Sequence, residues 1–255
     1  MLGCVAQWMY PGGAGQHANS VAPILISARQ GMGKSTFCRK LLPEGLQDYY
    51  TDSFDLTQPG DAEHKLTTFG LINLDEFDRL PASRMAQLKN WMQMERLHVR
   101  RAYKQHGEPL PRIANFIATS NRRNLLTDMT GSRRFICVEV EHFIDCHTPI
   151  EYEQLYAQLK EELQRGERSR FSKEEEAVIQ ERNWAYYRVT PGQELLDGVF
   201  TLAQPGEEGA YLLSAVQIYT QLKQKNPSAL CDCSPTAFSL SLIHISEPTR
   251  PLYIS

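Results

Sequence analysis

The stretch Ala28-Arg-Gln-Gly-Met-Gly-Lys-Ser-Thr36 constrains this chain more than any other. It follows Ala-Pro-Ile-Leu-Ile-Ser-Ala over 22–28, an apolar run that reads as a short buried strand. Residues 34–42 after it read as a helix, stopped near Pro43 and Gly45. Strand, glycine turn and helix in that order are the context in which a G-x-x-x-x-G-K-S/T match carries weight. Gly31 and Gly33 let the backbone turn tightly and aim N–H groups inward at phosphate oxygens. Lys34 can reach the β and γ phosphates, and the hydroxyl of Ser35 can hold Mg²⁺. Thr36 sits in the first turn of the helix, whose positive end also favours an anion. The first glycine of the full pattern is Ala28 here, a sterically mild replacement with Gly31 supplying freedom inside the loop. The plain alternative is an ordinary glycine turn ahead of a helix.

Further motifs follow in an order that suits the same chemistry. Leu71-Ile-Asn-Leu-Asp75-Glu76 is an apolar strand ending in two carboxylates. Asp75 is placed to bind Mg²⁺, directly or through water, and Glu76 to orient or deprotonate an attacking water. Many strands end in acidic residues, so the pair gains meaning only from the upstream loop. It also speaks against a small-molecule kinase, whose acceptor is a substrate hydroxyl. Asp78 reads as a cap for the helical segment beginning at Pro81. Ile117-Ala-Thr-Ser-Asn121 is a third strand with a short amide at its end, suited to contact a γ phosphate or hold water, or else a turn asparagine. Gly131-Ser-Arg133-Arg134-Phe135 precedes a fourth strand, and either guanidinium could stabilise charge on a transferred phosphoryl group, in cis or from a neighbouring subunit. One of the two could instead be a structural ion-pair partner.

Phe69–Leu74, Ala114–Thr119 and Phe135–Val140 are the further strands, and 82–99 has helical spacing with Met85, Leu88, Trp91, Met92 and Leu97 as its apolar set. Strands separated by helical stretches argue for an α/β domain with a largely parallel sheet. Little room for a first element is expected before Pro11-Gly12-Gly13. Beyond Pro149 the texture turns helical. Residues 151–165 are amphipathic, and 172–186 begin with Glu174, Glu175 and Glu176, which suit a helix N-terminus. Gln204–Gly209 reads as a linker or wing, and Ser214 as the cap of a helix running to Lys223. The expected organisation is a core over 1–149, a helical extension over 150–203 and a small module over 210–238. Residues 239–255 lose all periodicity and are similar to translated sequencing-adapter sequence, so they are expected to be a non-native tail.

With 255 residues the chain can bury a core without disulfide or metal staples. Its net charge of −3 excludes a uniformly basic coat, though not a local patch. From Arg84 to Lys104 six basic residues (Arg84, Lys89, Arg96, Arg100, Arg101, Lys104) face a single acid, Glu95, with Tyr103 among them. Such a segment is compatible with phosphate-backbone contacts or with a solvated helix face. No apolar run reaches eighteen residues and there is no secretory leader, so neither a membrane span nor export is expected. Six cysteines without a C-x-x-C pair suit free thiols in a reducing cytoplasm. The histidines have no ligand spacing, and Trp8, Trp91 and Trp184 read as core or interface.

Taken in order, G-M-G-K-S-T-F, L-I-N-L-D-E-F-D, the basic segment closing in Pro111-Arg112, F-I-A-T-S-N and T-G-S-R-R-F resemble the virulence-associated protein E family. That family belongs among phage, plasmid and genomic-island P-loop ATPases and looks like a relative of superfamily 3 helicases. The resemblance runs from about Trp8 to Phe200, and 210–238 look like the start of the winged-helix-type C-terminal domain of Bacteroidetes members. It implies an AAA+ or superfamily 3-like P-loop NTPase fold and ATP-dependent, Mg²⁺-dependent work on DNA during mobile-element replication. It implies nucleotide contacts from Gly31, Gly33, Lys34, Ser35, Thr36 and Asp75, Mg²⁺ at Ser35 and Asp75, and Glu76 at the water. Asn121 takes the sensor position, and Arg133 and Arg134 the arginine-finger region. Arg96, Arg100, Arg101 and Lys104 are the expected contacts to DNA, with single-stranded DNA the expected form. Members often carry a primase-like region upstream and work as homo-oligomeric rings. The rival expectation from another class is a nucleotide-gated DNA-binding loader or regulator without unwinding activity.

Overall fold

The computed structural model describes residues 1–11, 18–99, 107–127, 132–188, 199–200, 211–226, 238 and 252–254. Contacts divide the chain into two units, Met1–Tyr187 and Arg188–Ser255.

The first unit is built on a five-stranded, all-parallel sheet. Its strands are β1 (Ala22–Ile26), β2 (Tyr50–Thr51), β3 (Leu71–Leu74), β6 (Asn115–Ser120) and β7 (Phe135–Glu139), in the order β2-β3-β6-β1-β7. The three central strands read as near-continuous apolar runs because helices cover both faces. Ile24, Ile26, Ile72, Leu74, Phe116 and Ala118 face one layer, against Leu66 of α3 (Pro59–Thr68) and Met85, Leu88, Trp91 and Met92 of α4 (Ala82–Gln93). Leu25, Leu71 and Ile117 face the other, against Cys38 of α2 (Lys34–Lys40) and Leu42. Alternate residues of each strand thus serve opposite layers, as the pleat requires.

Three expectations need correction. The start of the chain does hold an element, α1 (Leu2–Met9). Its Gln7 side chain donates to the carbonyls of Arg112 (2.9 Å) and Ala114 (3.0 Å), and the Trp8 indole to those of Gly70 and Ile113, both at 3.1 Å. Tertiary hydrogen bonds, not local capping, hold this helix. Second, the helix expected over 82–99 stops at Gln93. Residues Arg96–Val99 are β4, paired antiparallel with β5 (Glu108–Pro111), and Leu97 and Val99 are buried while Arg96 and His98 are exposed. That two-residue alternation is a strand's, and Leu97 matches helical spacing only by coincidence. Third, α4 has Pro81 at its N-cap with no side-chain cap, so Asp78 is not a helix cap. The remaining elements lie close to expectation. They are α5 (Tyr152–Gln164), which packs on α1 with Trp8 and Tyr156 ring centroids 6.5 Å apart, and α6 (Lys173–Arg182), opened by a Ser172/Glu175 capping box.

Arg112 organises the base of this unit. It is 1% exposed, and its guanidinium donates to the carbonyls of Met92 (3.0 Å), Met94 (2.8 Å), Asn19 (2.9 Å) and Ala114, and to Gln7 Oε1 (3.4 Å). One side chain therefore ties α1, the start of β6 and the end of α4. Burial pulls its pKa down to about 10.

In the second unit, β8 (Tyr211–Leu213) pairs antiparallel with β9 (Leu252–Ile254), and α7 (Ala215–Lys225) starts at a Ser214/Gln217 capping box. Ile218, Tyr219, Leu222 and Phe238 form its small core. Three residues of the stretch expected to be a non-native tail thus take part in a ladder; its others lie outside the described residues. No helix among the described residues is long and apolar enough to cross a membrane.

Candidate functional site

The carboxyl ends of β1, β3 and β6 lie side by side, and each carries a sequence motif. The turn after β1 enters α2 through Gly31 (φ +75°) and Gly33 (φ +86°), both left-handed, which only glycine adopts at no steric cost. Gly31 has open space around it. A Cβ on Gly33 would stand 3.2 Å from both Cys146 Sγ and Ile144 O, because the segment after β7 lies across the turn. The Ile144 N–H donates to Met32 O at 3.1 Å, and the Cys146 thiol contacts Gly33 O at 3.5 Å. The far end of α2 is held as firmly. Its last carbonyls accept from Tyr152 Oη (to Lys40), Tyr156 Oη (to Leu41) and Gln47 Nε2 (to Arg39 and Leu42).

Lys34 is 7% exposed. Its ammonium donates to Ser27 O (3.2 Å), Arg29 O (3.4 Å) and Asn121 Oδ1 (3.0 Å). Burial lowers its pKa from the ordinary lysine value, and the nearby Asp75 carboxylate opposes that shift. Ser35, exposed, donates through Oγ to Asp75 Oδ1 at 3.3 Å. Thr36 is exposed beside it in the first turn. Lys34 with Asn121, and Ser35 with Asp75, are therefore two hydrogen-bonded pairs that bring three separated stretches together.

The other expected residues take different positions. Glu76 sits in the left-handed region, φ +50°, and its Oε2 lies 2.6 Å from Arg79 Nη1. Arg133 and Arg134 form the short turn Ser132–Arg134 ahead of β7, and Arg133 pairs with Glu176 of α6 at 3.1 Å. Arg96, exposed on β4, donates to Pro109 O at 2.9 Å. Arg100, Arg101 and Lys104 lie outside the described residues. Sequence reasoning missed Thr119 and Ser120. Thr119 Oγ1 donates to Asp75 Oδ1, and Ser120 Oγ to the buried Asp78 at 2.9 Å. The only signal was two hydroxyls at the polar end of an apolar strand.

The donor set fits a magnesium nucleotide. No group of three or more His, Cys, Asp or Glu among the described residues could hold a metal by itself. Mg²⁺ characteristically takes one or two protein oxygens and fills its octahedron with phosphate and water. Ser35 Oγ and Asp75 Oδ1, 3.3 Å apart, are close to the spacing of neighbouring ligands around such an ion. A buried ammonium, a glycine turn and a helix N-terminus supply the complement for phosphate.

Among solved structures, the chain is similar to the C-terminal region of NrS-1. The apo structure of residues 305–718 aligns at TM-score 0.44 and 16% identity over 76% of this chain and 47% of that one. An A form of the same region aligns at TM-score 0.40 and 18% identity over 72% and 37%. This chain thus spans less than half the length of those it matches. No curated relative matches it. The virulence-associated protein E-like domain matches residues 1–188, which include the whole first unit. The chain belongs to the virulence-associated protein E-like domain family.

Proposed function

We propose that the chain is a Mg²⁺-dependent ATPase of P-loop type that drives work on DNA, as the helicase or primase-helicase portion of a replication protein from a phage, plasmid or genomic island. One observation carries the reading. Lys34 Nζ meets Asn121 Oδ1 at 3.0 Å while Ser35 meets Asp75 at 3.3 Å, so residues remote in sequence share one small volume above the glycine turn. Family membership supports the placement in mobile-element replication.

In this reading the N–H groups of the turn and Lys34 bind the β and γ phosphates, the ammonium exchanging its bonds to Ser27 O and Arg29 O for phosphate oxygens. Ser35 and Asp75 would hold Mg²⁺, which when bound neutralises charge on the β and γ oxygens. Glu76 accepts the proton of a water that attacks the γ phosphorus in line, and ADP leaves. Asn121 orients that water or the γ oxygens. Arg133 or Arg134 supplies positive charge to a site on a neighbouring copy, which makes the working form a ring. Arg96 on β4, with Arg100, Arg101 and Lys104 following it in the sequence, contacts the phosphates of single-stranded DNA.

ATP turnover with and without single-stranded DNA tests the proposal. The parent should hydrolyse ATP faster with DNA. Lys34→Ala should lose binding and turnover, and Glu76→Gln should bind ATP but keep only a small residual rate of hydrolysis. A Glu76→Gln protein with the parent's rate would remove Glu76 from its role. Hydrolysis without strand displacement on forked DNA would favour a loader or regulator.

A further inference from the structure

The end of β6 is tied to more than the lysine. Three successive residues each bond a different residue of the other two motifs: Thr119 to Asp75, Ser120 to Asp78 and Asn121 to Lys34. The middle tie is the one that neither the sequence motifs nor the hydrolysis scheme explains. Asp78 is 9% exposed. One of its oxygens accepts from Ser120 Oγ at 2.9 Å, and Arg122 Nε stands 3.7 Å from the other. The Ser120 hydroxyl also accepts from Arg122 N–H (3.1 Å) and lies 2.8 Å from Arg122 O, which shares the hydroxyl's single proton with Asp78, so the strand end around Asn121 is closed on itself.

Asp78 belongs to the short turn Phe77–Arg79, which follows Glu76 directly. Glu76 is the single non-glycine residue with positive φ among the described residues. A glutamate does not hold that conformation unaided; the surroundings must impose it. Two anchors do so. Phe77 is 1% exposed and packs edge-on against Phe135 with ring centroids 5.1 Å apart. Asp78 fastens the turn to β6. A buried carboxylate is a costly way to fasten a turn, and a helix cap is not its return here, because α4 begins beyond it at Pro81 without a side-chain cap.

We infer that Asp78 is a positioning residue. Through Ser120 it fixes Glu76 relative to Asn121, so that the group taking the proton of the attacking water and the amide facing the γ phosphate move as one unit. This rests on the role given to Glu76 above.

The test uses Ser120→Ala and Asp78→Asn, each in the parent chain and in the Glu76→Gln chain. ATP affinity is read with a fluorescent nucleotide, turnover with radiolabelled ATP and folding by thermal unfolding. The expected result is ATP affinity within about twofold of the parent and kcat lower by roughly tenfold to hundredfold, the scale of a misplaced catalytic group. In the Glu76→Gln chain neither substitution should lower the residual rate further. An unchanged kcat in folded Ser120→Ala overturns the inference. So does a loss of equal size with and without Glu76, or a loss of ATP affinity in step with rate. If Asp78→Asn does not fold, Ser120→Ala decides alone. A parent that does not hydrolyse ATP overturns the proposed function and this inference together. A parent that does, with Glu76→Gln reduced to its residual rate and Ser120→Ala unaffected, overturns only the inference.

Discussion

Gly33→Ala should destabilise the chain by more than Gly31→Ala, although both glycines sit in the same turn. At both positions alanine must hold a left-handed backbone, φ +75° at Gly31 and +86° at Gly33, at a cost of about 1–2 kcal/mol. The loss of glycine's freedom in the unfolded chain offsets about 0.4–1 kcal/mol of that. Gly31→Ala meets no atom within 4 Å, so its net cost stays near ~1 kcal/mol. A methyl on Gly33 meets Cys146 Sγ and Ile144 O, each at 3.2 Å. The thiol can swing aside, but the Ile144 oxygen is backbone and its peptide is pinned by the Ile144 N–H bond to Met32 O. Moving it adds about 1–2 kcal/mol, which brings Gly33→Ala to about 2–3 kcal/mol. Urea titration of the two variants beside the parent reads the difference as a shift in midpoint at constant slope. Equal midpoints would mean that the segment after β7 does not lie across the turn, and the packing assigned to Ile144 and Cys146 would be wrong.

Other outcomes follow from the same structure. Arg112→Met should cost about 3–5 kcal/mol by urea titration, because it strands several buried carbonyl acceptors at once; a cost under about 1 kcal/mol would show that those bonds are dispensable. Burial pushes the Cys38 and Cys137 thiols from 9.0 up to about 12. Between those values the folded chain keeps protons that the unfolded chain releases, so stability is intact below about pH 9 and falls as pH rises toward 12. Urea midpoints at rising alkaline pH check this, and Cys38→Ala should flatten the fall. Arg96→Gln should weaken binding to single-stranded DNA uniformly across sequences and reduce the salt slope by about one; an unchanged slope in a fluorescence titration would take Arg96 out of the interface.

The parts legible in the sequence were those whose local pattern and tertiary setting agree. The apolar runs ending at Ile26, Leu74 and Ser120 are strands because nothing else buries them on both sides, and the motif residues at their polar ends come together because parallel strands share one carboxyl edge. Where tertiary contacts decide, the pattern misled. The helix Leu2–Met9 has no cap signal, and its place is fixed by Gln7 and Trp8 bonding carbonyls more than sixty residues away in sequence. Arg96–Val99 extended a helical pattern whose continuation the partner strand Glu108–Pro111 overrides. Asp78 looked like a cap because it stands just ahead of a helix. Its actual acceptor role depends on Ser120, from a strand that adjacency in sequence cannot reveal. Arg133 illustrates the same limit, since its ion pair with Glu176 links segments that only the folded chain brings together.

The most direct test of the central claim is calorimetric titration of the chain with Mg²⁺ and a non-hydrolysable ATP analogue, for the parent, Lys34→Ala and Asp75→Ala. Convergence of the three motifs on one triphosphate predicts saturable one-to-one binding by the parent, loss of about a hundredfold or more in affinity for Lys34→Ala, in line with removal of a buried charge partner, and loss of the magnesium dependence for Asp75→Ala. Binding by Lys34→Ala as tight as the parent's, or no binding by a folded parent, would contradict it.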